Sequence, residues 1–220
     1  MPRIHFQQQL AALKDKLLAM AALSQQAVIS AVDAYLQRDA GLCQYVRENE
    51  TAINTAQREV DEMAYELLAQ EQPMAIDLRF ILAVIKINAD LERVGDQAVS
   101  IADRVRDLQA FPVIDLPVDI PRMASLASAM VRKALQGFIE ADAEMATSVL
   151  TMDDSVDKLN DAAFFALSNL IKEQPHYTPQ ALHALMIARN LERVGDHATN
   201  IAEDVIFWVR GADVRHHITT

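Results

Sequence analysis

One cysteine, five glycines and seven prolines are few for a chain of 220 residues. A lone Cys43 cannot form an internal disulfide, and such sparing use suits a reducing compartment; its simplest role is as a packed apolar residue. Few glycines, prolines and β-branched runs leave little material for a many-stranded fold, and long helices are expected instead. Positive charge is in the minority, with a formal net charge of −11. That balance speaks against nucleic acid, whose phosphates require a basic face, and fits a bound cation or a basic protein partner. Met1 to Phe6 contains no apolar leader segment, and no stretch approaches the ~18 uncharged apolar residues of a spanning helix. A soluble cytoplasmic protein with no membrane insertion is therefore expected. A Gly-rich phosphate loop, a nucleophile elbow and a Ser/Cys–His–Asp arrangement are all missing.

What is present is a repeat. Asp90-Leu91-Glu92-Arg93-Val94-Gly95-Asp96 returns as Asn190-Leu191-Glu192-Arg193-Val194-Gly195-Asp196, with the six residues from Leu to Asp identical and one hundred positions apart. The apolar fraction of 51% is enough for a continuous core. Phe6, Leu10, Leu13, Leu17, Met20 and Tyr35 recur at helical steps, which predicts a first helix over about 5–38. Asp39 caps a second helix that runs to about 71, where Gln72-Pro73 stops it. A third runs from near Asp77 to about Leu108. Three prolines between Phe111 and Pro121 then make the one clear linker. Met123, Met130 and Phe138 mark a fourth helix, Asp142 caps a fifth, and Gln174-Pro175 echoes Gln72-Pro73. A sixth helix over about 179–209 ends at Gly211, with His216-His217 in the tail. The expected fold is all-α, a tandem duplication of a three-helix unit. Residues 1–110 form the first repeat, 111–121 the linker and 122–220 the second repeat with its tail.

On a helix, Leu91, Val94, Ala98 and Ile101 form a buried stripe. Glu92 and Asp96 stack at i,i+4 on nearly the opposite side, as do Glu192 and Asp196, with Asn200 and Glu203 near the same line. Like charges so placed weaken a helix by about 0.2–0.5 kcal/mol per pair, unless something positive neutralises them. Glu50 and Asn54 on the second helix, and Asp153 and Asp157 on the fifth, form matching i,i+4 pairs. Folding the hairpins back places Asn54 beside Asp96, Asp157 level with Asp196, and Asp153 level with Asn200. Paired acids on neighbouring helices suit carboxylate–metal–carboxylate bridges across the ~8–10 Å axis spacing of packed helices. Arg93, Arg189 and Arg193 give the plainer reading of any single pair, a solvated charged face. Four pairs in symmetric, converging places favour the cation. An oxygen-only ligand set suits magnesium, manganese, calcium or ferric iron better than zinc.

Gly95 and Gly195 are read as close-packing positions, with room for a bulky cluster as the alternative. His197 turns about 100° away from Asp196 and is expected at the surface. A carboxylate-bridged metal-dependent enzyme is the competing function. Its inward Glu-x-x-His pairs are missing, since Glu173 to His176 straddles Pro175.

These residues resemble the PhoU family, the phosphate-transport-system accessory proteins. The likeness rests on Gln72-Pro73, Asp77-Leu78-Arg79, the two Leu-Glu-Arg-Val-Gly-Asp copies, Asn200-Ile201 and Val209-Arg210-Gly211. It implies two similar three-helix bundles and metal held on the outer surface by paired E(D)-x-x-x-D motifs. Iron is foremost, with manganese, magnesium or zinc as further options. Carried over, the motifs are Glu50/Asn54 with Glu92/Asp96, and Asp153/Asp157 with Glu192/Asp196; Asn54 departs from the acidic pattern. The resemblance further implies a non-catalytic, homodimeric adaptor between the phosphate ABC transporter ATPase and its sensor histidine kinase. Such an adaptor restrains phosphate uptake and the starvation response.

Overall fold

The computed structural model describes residues 2–214, with side chains from residue 4 onward; the expected His216-His217 tail lies outside the described residues. Six helices follow in order: α1 Pro2–Gln37, α2 Ala40–Glu71, α3 Ile76–Leu108, α4 Ile120–Glu140, α5 Ala143–Glu173 and α6 Thr178–Arg210. A single 3-10 turn, Pro175–Tyr177, leads into α6, and no strand occurs among the described residues.

The capping residues set the boundaries. Asp39 accepts from the backbone N–H of Gly41 and Leu42, and Asp142 from those of Glu144 and Met145. Each cap contributes about 1 kcal/mol. Gly211 ends α6 in the left-handed region at φ 71°, which a side chain rarely adopts. The linker lies two residues earlier than its prolines suggest: α3 ends at Leu108 and α4 starts at Ile120, with Asp119 capping and Pro121 inside the first turn. Proline is tolerated there because the first-turn N–H has no helical partner to lose.

α1–α3 and α4–α6 each form a three-helix bundle, yet they share one core. Ile87, Leu91, Val94 and Ile101 of α3 and Ile187, Leu191, Val194 and Ile201 of α6 are all fully buried in the same cluster. Contacts along the seam run from Arg79 to the Trp208 carbonyl, from Lys86 to Asp204, and from Asp90 to His197. As the α3 number rises, the α6 number falls. The two helices therefore run antiparallel, with the repeated motifs level with each other. The duplicated stripe packs against its own copy.

The linker between α3 and α4 acts as a strap. Leu116 and Val118 pack on Leu167, Ala181 and Ala184 at the base of the second hairpin. Arg38, itself at φ 52°, anchors the other end by donating to the Leu108 and Phe111 carbonyls.

α1 departs from one expectation: over Ile4–Gln37 it is long and apolar enough to cross a membrane. Leu13, Leu17, Met20, Ala27 and Ala31 nevertheless lie in the core, so the bundle accounts for the apolar character of α1.

Candidate metal centres

Each hairpin aligns its acids by the register of its two helices. In the first, Ile53 packs into the space left by Gly95, where an added Cβ would lie 2.9 Å from Ile53 Cδ1. Asn88 donates to the Gln57 carbonyl and to Asp61, both at 2.9 Å, fixing the same register. Glu50 and Asn54 on α2 thereby come level with the Glu92/Asp96 face of α3. In the second hairpin, a Cβ on Gly195 would lie 3.4 Å from Asp153 Oδ1. Asp153 thus sits beside Gly195 and Asp196, about one turn from the expected level with Asn200. The 3-10 turn packs alongside α5, so the chain has begun its descent before α6 starts.

The two glycines therefore do different things. Gly95 admits a core side chain, which is the close-packing expectation, whereas a Cβ on Gly195 would meet Asp153 Oδ1 and the Met130 thioether only at ordinary contact distances of 3.4–3.7 Å. In the apo protein Gly195→Ala should be neutral or stabilising by up to about 1 kcal/mol, from helix propensity. Gly95→Ala should lose that gain and more to overlap with Ile53, for a net cost of about 1–2 kcal/mol. Urea melts of the two variants measure the difference.

The second hairpin carries the more strained electrostatics. Burial, then Asp157, Asp196, Glu192 and Asp154, push the Asp153 carboxyl up to about 6. Burial raises Glu192, Asp196 adds to it, and Arg189 and Arg193 only partly offset the rise. Asp157 is raised by burial and by Asp196, Asp154 and Asp161. Asp153 Oδ1 and Glu192 Oε2 are buried with no hydrogen-bond partner. A buried carboxylate oxygen without a donor is costly, and a hard cation satisfies it. In the first hairpin, burial and Asp96 raise Glu92, with Glu50 contributing, while Arg93 and His197 pull it back. Asp96 is raised by burial against the same two cationic neighbours. No acid of the first set has an orphaned buried oxygen.

The residues of the second hairpin fit a metal in donor type and in unmet demand. Among the described residues, no three or more acids, histidines or cysteines are already gathered closely enough to hold an ion. Carboxylate rotation would have to complete either site.

Three residues lie apart from these two sites. Asn200 Nδ2 donates to Asp90 Oδ1 at 3.1 Å, across the α3–α6 seam. Glu203 lines a groove of about 340 Å³ there, with Lys86, Arg93 and Asp204. Asp103 is held by Arg47 at 2.6 Å and Arg106 at 3.4 Å.

His197 corrects its expected surface position. It is only 9% exposed, and its Nδ1 lies 2.8 Å from Asp90 Oδ1. The sequence did contain a signal: Asp90 and His197 stand where the other copy of each position has Asn190 and Gln97. On an antiparallel seam the acid–His pair falls on one diagonal and the amide pair on the other. Reading the copies as parallel strings hides the pairing.

A domain-family model described as a PhoU domain matches residues 17–105 and again 120–205. The chain belongs to the PhoU family. The "Phosphate-specific transport system accessory protein PhoU homolog" of Pseudomonas aeruginosa is 40% identical, covering 96% of this chain and 88% of that one. The crystal structure of PhoU from the same organism superimposes with a TM-score of 0.91 at 38% identity, covering 94% of this chain and all of that one. The phosphate transport system regulatory protein PhoU from Streptococcus pneumoniae superimposes with a TM-score of 0.85 at 25% identity, covering 96% of this chain and all of that one. The PhoU matches span both repeats, and the strap between residues 105 and 120 falls between the two matched domains.

Proposed function

We propose that this protein is a non-catalytic, metal-binding cytoplasmic regulator of phosphate uptake and phosphate-starvation signalling. It acts negatively, as an adaptor between a phosphate ABC transporter ATPase and a sensor histidine kinase, and works as a homodimer. The observation that carries the reading is the whole-chain similarity to an accessory protein of phosphate transport, at 40% identity over 96% of the chain. The missing nucleophile and phosphate-loop arrangements agree with an accessory rather than a chemical role.

The acidic hairpins supply the physical component of the proposal. Asp153, Asp157, Glu192 and Asp196 would hold the ion of the second site, and Glu50, Glu92 and Asp96, with the Asn54 carbonyl oxygen, that of the first. A bound iron, manganese or other hard cation supplies the positive charge that each hairpin lacks. With their acids neutralised, α2 with α3 and α5 with α6 present partners with stiff faces of fixed shape.

Two linked measurements test this. In a bacterium lacking its own PhoU, the chain should restore low expression of a phosphate-starvation reporter in phosphate-replete medium. Unchanged reporter expression despite good protein levels would overturn the regulatory role. After chelation and reloading with iron or manganese, Glu192→Ala with Asp196→Ala should lose the second site's share of bound metal, counted by elemental analysis. A double variant that retains the parental stoichiometry would remove those residues from the site.

A further inference from the structure

The α3–α6 seam is built from two copies of one stretch, but its two ends are finished differently. At one end Lys86 Nζ reaches Asp204 Oδ1 at 3.1 Å and lies 5.3 Å from the Phe207 ring centroid, while Arg79 donates to the Trp208 carbonyl. At the other end the residues matching Lys86, Asp204 and Arg79 are Met186, Arg104 and Pro179. A thioether cannot pair with a guanidinium as an ammonium does with a carboxylate, and Pro179 has no side-chain donor. Neither bridge forms. An open groove of about 820 Å³ remains there, lined by Pro175, Pro179, Leu182, Leu185 and Met186 and by Arg104.

Leu182 and Met186 are each 49% exposed. Along α6 the steps from Leu182 to Met186, Arg189 and Arg193 are helical, so the apolar groove and two exposed arginines share one face. Across the seam Asp103 is taken up by Arg47 and Arg106, and Asp107 pairs with Arg104 at 3.5 Å on the surface. Glu192 draws on Arg189 and Arg193. Five arginines thus stand against three acids around this groove, in a chain whose net charge is −11. The patch is basic and apolar where the rest of the surface is acidic.

We propose that this end of the seam docks an amphipathic helix with acidic flanks, presented by a partner protein. Its apolar side chains enter beside Leu182, Met186 and Pro179, and its carboxylates meet Arg104, Arg189 and Arg193, a helix-in-groove arrangement. From Leu182 to Arg193 the face is about 16 Å long, enough for three helical turns. A groove bordered by the acids of the second hairpin suits a protein helix better than an anionic membrane, which those acids repel. The other end is closed by Lys86 and Asp204, so each chain docks one such helix. The inference rests on the adaptor reading only in supposing a protein partner, and it involves no metal.

The probe is a fluorescently labelled synthetic peptide of about 20 residues, long enough to hold a helix. Leucines at i, i+3, i+4 and i+7 form its apolar stripe, with glutamates on both sides; a matched peptide carries lysines in their place. Followed by anisotropy with the full-length protein, the glutamate peptide should bind saturably, one per chain, and more weakly as salt is added. The lysine peptide should bind at least about tenfold more weakly. Met186→Lys with Arg104→Asp, which transplants the closing pair of the other end, should cost the glutamate peptide about tenfold or more in affinity. Leu182→Glu, at a half-exposed position, should do the same, and it decides the matter alone if the double variant does not fold. Equal binding of the two peptides, no saturable binding at millimolar concentration, or affinity unchanged by the substitutions would overturn the proposal. So would sedimentation with phosphatidylglycerol vesicles in place of peptide binding. The assay needs neither phosphate nor transporter, so its failure would leave reporter restoration, and the regulatory reading with it, standing.

Discussion

Replacing Phe138 with alanine should cost about 3–5 kcal/mol, the largest single-site stability loss expected in this chain. The ring is completely buried. It stacks on Phe80 at 5.7 Å and tilts against Trp208 at 5.2 Å, and Lys14 Nζ lies 5.7 Å from its centroid. Truncation therefore removes the transfer energy of a phenyl group and two aromatic contacts at once, and it opens a cavity between rigid helices. Phe80 belongs to α3 and Trp208 to α6, so the loss loosens the end of the seam joining the halves. For a domain of this size the melting temperature should fall by about 10 °C, read by circular dichroism. Phe138→Leu keeps most of the volume and should cost less than half as much. Equal melting of Phe138→Ala and the parent would show that the aromatic cluster does not hold that end closed.

Asp153→Asn should strengthen the metal-free protein and weaken its metal binding. The carboxyl of Asp153 stands at about 6 in the folded chain, against 3.8 for the free group, because burial and four neighbouring acids disfavour its charge. Between those two values the folded state binds more protons than the unfolded one. The contribution to stability is therefore present at low pH and is lost as pH rises through about 4 to 6. With much of the group still facing solvent, the penalty at neutral pH is discounted to about 1 kcal/mol. Asparagine cannot ionise, so the variant should gain about that amount at pH 7.5 and nothing at pH 3.5. Metal uptake moves oppositely. Protons compete for the same oxygen, so parental affinity should fall as pH drops through about 6, and the variant should bind weakly at every pH. Chemical denaturation at the two pH values, with calorimetric titration of manganese, reads both. A variant less stable than the parent at pH 7.5 without metal would refute the charge argument.

Helical periodicity, the Asp39 and Asp142 caps and the twin Gln-Pro breaks were enough to place all six helices to within a few residues. They work because each is local, with the boundary decided by hydrogen bonds to the next turn. The pairing of Glu92 with Asp96 and of Glu192 with Asp196 is local too. Register across the second hairpin was not legible. It depends on how the Pro175–Tyr177 turn descends beside α5, and no spacing rule encodes that. The burial of His197 was missed because a seam between repeats is a long-range fact: the helical face that turns it from Asp196 turns it toward Asp90 on another helix.

The antiparallel α3–α6 seam says something about ancestry. A forebear of half this length would have carried the same stripe of Leu, Val and Ile, with its own bundle covering only part of it. The symmetry relating the present halves is the twofold kind by which identical molecules pair through one shared patch. Gene fusion would have tied such a pair permanently together. Freed from serving both roles, each half could then diverge, so that one diagonal carries Asp90 with His197 and the other Asn190 with Gln97.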